Sequence, residues 1–416
     1  MAHAIVRPRP VLTARGKSPP DVFPRMKTSG FRESCALVIA SLRSRRLFFH
    51  SLLTVELLLT VASALLAACT AGRVVAAAEH MERVRVAADG TGFVLAESGA
   101  AFTPWGFNYL GEFGTILEEY WADDWSAIAD DFREMRALGA NVVRLHLQLP
   151  THMESPERMR PESLARLRRL LDLARDHGLR VDVTGLCLYR IKDVPAWLDA
   201  LDEEGRWRAQ EFFWREIARV CRDHPAVFCL DLMNEPIVGE PKDGEPAWLT
   251  GELEGFHFVQ RIAREMRGRT QAEVAAAWVA RMTAAIRAVD PHVLITVGVI
   301  PWSQVWPGAT PLFYTPEAAR HLDFVSVHLY PRTGRIDADL AVLDDYAIGK
   351  PVVIEETFPL HCSQEEFDEF LGRSRAAAAG WVGHFFGRSI EEHRAANGLR
   401  DAVMAGFLES WRRHAP

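Results

Sequence analysis

From about Val84 onward, buried-type strands alternate with helical segments, and this alternation limits the possible folds more than any other feature. Segments such as ANVVRLHL, LRVDVTG and AVFCLDLM are near-continuous apolar runs, typical of parallel strands covered on both faces. Amphipathic segments at helical spacing lie between them, such as WSAIADDFREMRALG, which stops at Gly139. Parallel strands need a crossover that helices supply, so the alternation predicts an α/β fold with a parallel sheet.

About eight such strands occur, each followed by a helical segment, and this number indicates a particular architecture. Eight units within roughly 330 residues suit a (β/α)8 TIM barrel that forms one catalytic domain over residues 81–416. An open doubly wound sheet is the alternative, but no GxGxxG turn follows the first strand. Ahead of that strand, VRVAADGTGFVL alternates apolar and polar residues around Asp89 and Gly90, which predicts an N-terminal β-hairpin.

Residues 1–80 differ in character and are expected to lie outside this domain. Residues 1–30 are rich in Pro, Arg and Ser without periodicity, which indicates a disordered extension. A basic cluster then leads into LFFHSLLTVELLLTVASALLAAC, which has the layout of a secretory signal or an uncleaved membrane anchor. The ending LAAC resembles a bacterial lipobox, which makes Cys69 a candidate for lipidation. We therefore expect export, with the protein either secreted or attached to a membrane.

Charge and cysteine content exclude several classes of function. The net charge of −7 argues against nucleic-acid binding, which usually requires a basic face. No CxxC pair or Cys/His cluster suggests a metal site. Cys221 and Cys229 are either a disulfide pair or buried free thiols. We expect a monomer that needs neither a metal nor another cofactor.

Polar side chains recur where the predicted strands end, and the C-terminal strand ends form the active-site face of such a barrel. These residues are Asn108, Arg144, His146, Asn234, Glu235, His328, Tyr330, Glu355 and Glu356. Carboxylates therefore follow the fourth and the seventh strands, on opposite sides of the barrel mouth. Buried carboxylates are unfavourable unless they are paired or hydrogen-bonded, so their presence there indicates chemistry.

Two carboxyl groups across a cleft are what cleavage of a glycosidic bond requires, one protonated and one ionised. In this interpretation Arg144 holds the nucleophile ionised, and Tyr330 donates a hydrogen bond to it. Asn234, beside the acid, is placed to bind the sugar 2-hydroxyl. The long insertion IVGEPKDGEPAWLTGELEGFHF that follows Glu235 is expected to form part of the cleft wall.

The motifs LMNEP, VHLYP and KPVVIEE resemble those of clan A retaining glycoside hydrolases, most closely glycoside hydrolase family 5, the cellulase and mannanase family. The resemblance extends from about Phe102 to Phe386. It implies a hydrolase for a β-linked glucan, mannan or shorter β-glycoside, acting by double displacement without a cofactor. It also implies that Glu235 is the acid/base and that Glu356, the second residue of the Glu-Glu pair, is the nucleophile.

The resemblance assigns further residues to substrate binding. Arg144 matches the second-strand arginine of the family, and His328 and Tyr330 match its sixth-strand pair. Glu355 is expected to point toward the helix layer, because adjacent residues of a strand face opposite sides. The remaining candidates are His146, whose burial is open, and the possible sugar platforms Trp302 and Trp381. A loop-packing role for Trp302 is equally open. His384 and Phe385 are alternatives to Trp381 as the eighth-strand platform.

Other functions share part of this pattern. A transglycosylase would use the same residues and differ only in the acceptor. A carbohydrate-binding protein on a decayed barrel is disfavoured because the residues that the chemistry needs are all present. A metal-dependent barrel hydrolase is disfavoured because the strand ends lack an HxH or clustered Asp/His ligand set.

Overall fold

The computed structural model of the chain describes residues 81–110, 116–119, 124–253, 255–396 and 398–416. The predicted export segment and Cys69 lie outside these residues, so secretion, membrane attachment and lipidation stay predictions, as does the domain boundary near residue 80. Within the described ranges, no helix is both long and apolar enough to cross a membrane.

The described elements alternate along the chain as the sequence predicts. The strands are β1 (Val84–Val86), β2 (Phe93–Leu95), β3 (Ala101–Phe102), β4 (Trp105–Tyr109), β5 (Val142–Gln148), β6 (Met153–Ser155), β7 (Arg158–Met159), β8 (Arg180–Cys187), β9 (Val227–Asp231), β10 (Pro236–Val238), β11 (Leu249–Leu253), β12 (Phe256–Ala263), β13 (Leu294–Thr296), β14 (Gly298–Val299), β15 (Val325–His328), β16 (Val352–Thr357) and β17 (Gly380–Phe386). The α-helices are α1 (Trp125–Ala137), α2 (Leu149–His152), α3 (Pro161–Asp176), α4 (Ala196–Asp199), α5 (Glu203–Cys221), α6 (Gln271–Arg287), α7 (Pro316–Ala319), α8 (Ile336–Ala341), α9 (Gln364–Ser374), α10 (Ile390–Ala396) and α11 (Leu399–Arg413). Short 3-10 helices occur at Leu117–Glu119, Ile191–Asp193, Trp302–Gln304, Leu312–Tyr314 and Val342–Tyr346.

Nine of these strands form one parallel sheet, in the order β13-β9-β8-β5-β4-β17-β16-β15-β14. The two end members, β13 and β14, are consecutive pieces of one chain segment separated only by Val297. The first piece pairs with β9 and the second with β15, so the segment is the fifth strand of a closed ring. This arrangement confirms the predicted (β/α)8 barrel.

A small antiparallel sheet covers one end of the ring. β1 pairs with β2 around the turn at Asp89 and Gly90, as predicted, and β3 adds a third strand. Phe93 of this sheet packs edge-on against Phe228 and Phe324 of the barrel, with ring centroids 5.3 Å apart in both cases. The apolar contacts of this small sheet exclude water from the N-terminal end of the barrel interior.

A second small sheet follows the fourth barrel strand. β10 pairs in parallel with β12, and β12 pairs antiparallel with β11. These strands come from the insertion predicted to form part of the cleft wall. Among the described cysteines, Cys187, Cys221, Cys229 and Cys362 are all free, so Cys221 and Cys229 are buried thiols and not a disulfide.

Candidate active site

A cavity of about 250 Å³ opens at the C-terminal ends of the barrel strands. The polar residues on its wall that bear on chemistry are His146, Asn234, Glu235, Tyr330, Glu356 and His384. They come from five different strand ends, which the closed ring brings to one place. The cavity therefore gathers most of the polar residues that the sequence predicts for the site.

Glu235 lies in the turn directly after β9 and faces the cavity, with its side chain 13% exposed. Its backbone adopts a positive φ of 48°, a conformation that costs a residue with a side chain about 1–3 kcal/mol. The backbone N–H of Glu235 donates to the carbonyl of Gly298 (2.9 Å), and its Oε1 lies 2.8 Å from Nδ1 of His328. Burial raises the pKa of the Glu235 carboxyl above its usual value, which favours the protonated acid.

Glu356, near the end of β16, has both carboxylate oxygens held by donors. Nη1 of Arg144 donates to Oε1 (2.7 Å), and the hydroxyl of Tyr330 donates to Oε2 (2.6 Å). Burial alone would raise the pKa of Glu356, but the positive charges of His328 and Arg144 outweigh it and keep the pKa well below its usual range. The pKa values of the two glutamates therefore shift in opposite directions, which suits a general acid and a nucleophile.

His328 is a buried cation between these carboxylates. Burial would lower its pKa, but the charge of Glu356 and the hydrogen bonds to Glu235 and Glu355 raise the pKa to about 10. Its Nε2 lies 3.4 Å from the carboxylate of Glu355. The imidazolium thus donates on both sides and contributes a positive charge beneath the two catalytic candidates.

Arg144 is fully buried and connects the polar groups under the cavity. Besides Glu356, its guanidinium donates to Oδ2 of Asp231 (2.8 Å), Oδ1 of Asn234 (3.0 Å) and Oδ1 of Asn108 (2.9 Å). Two hydrogen bonds fix Asn234, since its amide also donates to the carbonyl of Phe258 (3.0 Å). One bond to the oxygen and one from the nitrogen therefore fix the orientation of the Asn234 side-chain amide.

The prediction that Glu355 points to the helix layer is wrong. Its side chain is fully buried inside the barrel, where it lies 3.4 Å from Nη2 of Arg144 and accepts a hydrogen bond from Ser326 (3.0 Å). The pairing register of β16 shifts on both sides. In the pairing with β15 the shift lies between Val327 and His328, and in the pairing with β17 it lies between Ile354 and Thr357 of β16 itself. This bulge breaks the two-residue alternation, so both adjacent glutamates face inward.

Asp182 of β8 is a further buried acid that the sequence analysis missed. It is 1% exposed, and burial together with the charge of Glu355 raises its pKa well above the usual value. The signal for it was present, because a charged residue stands inside the apolar run LRVDVTG. Such a residue points to a polar layer in the barrel core.

Three predicted substrate contacts lie beneath the cavity instead of on its wall. Asn108, Arg144 and His328 are 0–2% exposed. Arg144 and His328 contact buried carboxylates, and the side-chain amide of Asn108 donates to the backbone carbonyl of Glu355 (3.0 Å). His146, whose burial the sequence left open, lines the cavity, and its Nε2 lies 2.8 Å from Oδ1 of Asn108. The three buried residues are therefore placed to position the catalytic candidates and do not line the cavity.

The prediction of Trp381 as a sugar platform is wrong, and Trp302 lies outside the cavity. Trp381 is 3% exposed on the outer face of β17, where its indole N–H donates to Ser374 (3.0 Å) and its ring packs against Trp105. Trp302 stacks on Trp306 with centroids 5.1 Å apart and is not among the residues that line the cavity. The alternatives His384 and Phe385, which are joined by a cis peptide bond, line the cavity instead.

The group Glu235, His328 and Glu356 is the one place among the described residues where three metal-ligating atoms lie within 4.8 Å of one another. A metal would need the neutral imidazole as a ligand. Because His328 keeps its proton up to a pKa of about 10 and faces carboxylates from both ring nitrogens, it is a hydrogen-bond donor here. The donor set therefore suits a network of ion pairs better than a metal centre.

Comparison with known proteins agrees with this geometry. Residues 96–364 match the family model described as Cellulase (glycosyl hydrolase family 5). A search of curated protein sequences found no match.

Solved structures with a similar fold are related at low sequence identity. They include an exo-β-1,4-mannosidase from Opitutaceae bacterium strain TAV5 (TM-score 0.59, 21% identity, 79% of this chain and 61% of that chain). They also include a β-mannanase from the blue mussel Mytilus edulis (0.53, 17%, 79% and 96%) and an endo-1,4-β-mannanase from Rhizomucor miehei (0.54, 16%, 80% and 99%). At these identities the likeness establishes the barrel fold, and this chain spans 61% of the length of the mannosidase.

Proposed function

This chain belongs to glycosyl hydrolase family 5, and we propose that it is a retaining β-glycosidase with Glu235 as acid/base and Glu356 as nucleophile. The family implies a carbohydrate substrate. The matching family model is described as cellulase, and the three solved structures reported above are named as a mannosidase and as mannanases. β-Mannosides and β-glucosides are therefore the first sugars to test.

The spacing of the two glutamates is the observation that carries the proposal. A carboxylate oxygen of Glu235 lies within 4.8 Å of one of Glu356. Retaining glycosidases hold the two carboxyl groups about 5–5.5 Å apart, whereas inverting enzymes need about 6.5–9.5 Å to admit a water. The observed spacing supports double displacement with retention.

In the first step Glu356 attacks the anomeric carbon and forms a covalent glycosyl-enzyme, while Glu235 gives its proton to the leaving oxygen. The raised pKa of Glu235 and the lowered pKa of Glu356 suit these roles. In the second step Glu235, now ionised, takes a proton from the water that releases the sugar. Asn234, held by Arg144, is placed to donate to the sugar 2-hydroxyl, an interaction that strengthens in the transition state.

The test is a hydrolysis screen of the full-length chain on β-mannans, β-glucans and aryl β-glycosides. Glu356→Ala should remove turnover in a folded protein. Glu235→Ala should lower the rate about 10²–10⁴-fold on poor leaving groups and much less on good ones, because only the poor ones need the proton. Glu317→Ala, at an exposed position of α7, is the matched control and should behave as the parent does.

Added azide separates the two roles by stereochemistry. It should restore activity to Glu356→Ala with an α-glycosyl azide as product, and to Glu235→Ala with the β-anomer, because azide replaces a different group in each variant. Glu355→Ala should gain nothing from azide. Rescue of that variant in place of Glu356→Ala would move the nucleophile to Glu355 and refute the assignment.

A further inference from the structure

Apart from the polar residues near the glutamates, the described walls of the cavity are apolar. The apolar lining includes the side chains of Leu253, Phe256, Phe258, Phe358, Leu360 and Phe385. They come from the β11–β12 hairpin on one side and from the segments after β16 and near the end of β17 on the other. The cavity thus has a polar catalytic end and an extended apolar end.

The hairpin wall is fixed next to the acid/base candidate. Phe256 and Phe258 stack with centroids 6.0 Å apart and an angle of 15°, and Phe258 packs against Tyr189 at 5.1 Å. The carbonyl of Phe258 accepts a hydrogen bond from Asn234, the residue that precedes Glu235. Since the acid must face the leaving oxygen, the wall beside it faces the leaving group of the substrate.

Two leucines extend the apolar surface to the rim of the cavity. Leu253 is 55% exposed and Leu360 is 58% exposed, on opposite walls. A single exposed leucine is ordinary, but these two continue a buried aromatic surface in the same cavity. Sugar hydroxyls lose hydrogen bonds to water when they enter such surroundings, and the six apolar side chains offer no hydrogen-bond partner in return.

We propose that this cavity binds an apolar alkyl or aryl aglycone, so that the substrate is a hydrophobic β-glycoside instead of a polysaccharide. The inference rests on the proposed function, because it takes Glu235 as the proton donor that defines the leaving-group side. The sugar occupies the polar end against Asn234 and Glu356, and the aglycone lies along Phe256, Phe258 and the rim leucines.

A homologous series of substrates measures the apolar contact directly. kcat/KM is measured on the full-length chain for methyl, butyl, hexyl and octyl β-D-mannosides and β-D-glucosides, all below their critical micelle concentrations. The leaving alcohols differ little in acidity, so the chemical step stays comparable along the series. Each CH2 that becomes buried should raise kcat/KM about fourfold, until the chain is longer than the cavity. β-1,4-Mannotriose and cellotriose, which carry sugars in the leaving-group position, should be poorer substrates than the octyl glycosides.

Substitutions at the rim test which surface makes the contact. Leu253→Gln and Leu360→Gln should each lower the ratio of kcat/KM for octyl over methyl glycoside by about fivefold, since half of a leucine side chain loses its apolar contact. Both positions are exposed, so the fold should tolerate the change. Leu399→Gln, at a position 86% exposed on α11 and outside the cavity, is the matched control and should keep the parent ratio.

The outcomes separate the two proposals. A rise with chain length that depends on the rim leucines supports the aglycone site. A kcat/KM that does not change along the alkyl series, or that is higher for the trisaccharides than for the octyl glycosides, overturns the aglycone site while leaving the glycosidase assignment in place. Folded parent protein that hydrolyses none of the alkyl glycosides, trisaccharides or polysaccharides overturns the proposed function, and the aglycone site with it.

Discussion

Replacing His328 by glutamine should remove a pH-dependent part of the stability of this barrel. The imidazolium contacts Glu235 (2.8 Å), Glu355 (3.4 Å) and Glu356 (3.6 Å), and Arg144 adds the other buried positive charge of this network. Glutamine keeps a hydrogen-bond donor of similar reach but carries no charge. The comparison therefore isolates the charge and not the packing.

The size of the effect follows from the pKa of His328. That pKa is about 10 in the folded protein against 6.5 in the unfolded chain, a difference worth about 5 kcal/mol of unfolding free energy. Because the folded pKa is the higher one, this contribution is fully present below pH 6.5. It decreases by up to about 1.4 kcal/mol per pH unit above that value and is gone above pH 10.

Urea unfolding followed by tryptophan fluorescence between pH 6.5 and 9.5 measures this dependence. Up to about 4 kcal/mol should disappear from the parent over that range beyond what the His328→Gln variant loses. The difference between the two proteins cancels the groups that titrate in both and do not interact with His328. Parallel stability curves for parent and variant would show that His328 is not a buried cation. The acidic limb of kcat/KM should also move to higher pH in the variant, because Glu356 loses the charge that lowers its pKa.

Three further substitutions, with one control, test the surroundings of the site. Glu355→Gln removes one anion from a buried ion network and should lower the unfolding free energy by about 3–5 kcal/mol in urea; an unchanged value would contradict its place in that network. Gly298→Ala places a Cβ against the carboxylate of Glu355 and 2.7 Å from Nε2 of His328, and should lower stability by about 1–3 kcal/mol together with kcat. Gly372→Ala in α9, where a Cβ meets no atom within 4 Å, should instead stabilise the protein by about 0.5–1 kcal/mol and serves as the control. Trp381→Phe should lower thermal stability but leave KM unchanged, since the indole lies outside the cavity; a raised KM would restore it as a sugar platform.

The sequence by itself determined the barrel, because apolar strand runs and amphipathic helices are local patterns whose periods can be read directly. It also indicated which strand ends carry the candidate catalytic carboxylates. Carboxylates at the ends of buried strands need a reason, which singled out Glu235 and the pair Glu355 and Glu356, and the family resemblance then selected Glu356. The structure brings a carboxylate oxygen of Glu235 within 4.8 Å of one of Glu356.

Only the tertiary structure decided how these residues face one another. Strand alternation predicted that Glu355 and Glu356 point to opposite sides, but the bulge in β16 turns both inward, and a bulge depends on pairing with β15 and β17. Likewise, Asn108, Arg144 and His328 lie beneath the cavity because the depth of a side chain depends on how the strands are staggered around the ring.

The apolar wall of the cavity is the other feature that the sequence did not reveal in detail. The insertion after Glu235 was expected to line the cleft, but its aromatic face depends on how β11 and β12 pair and where the hairpin docks. Loops that meet at a barrel mouth come from distant parts of the chain, so no local period records which of their side chains share a cavity. Local patterns thus determined the scaffold and indicated its candidate catalytic pair, whereas long-range strand register and loop placement decided which side chains line the cavity.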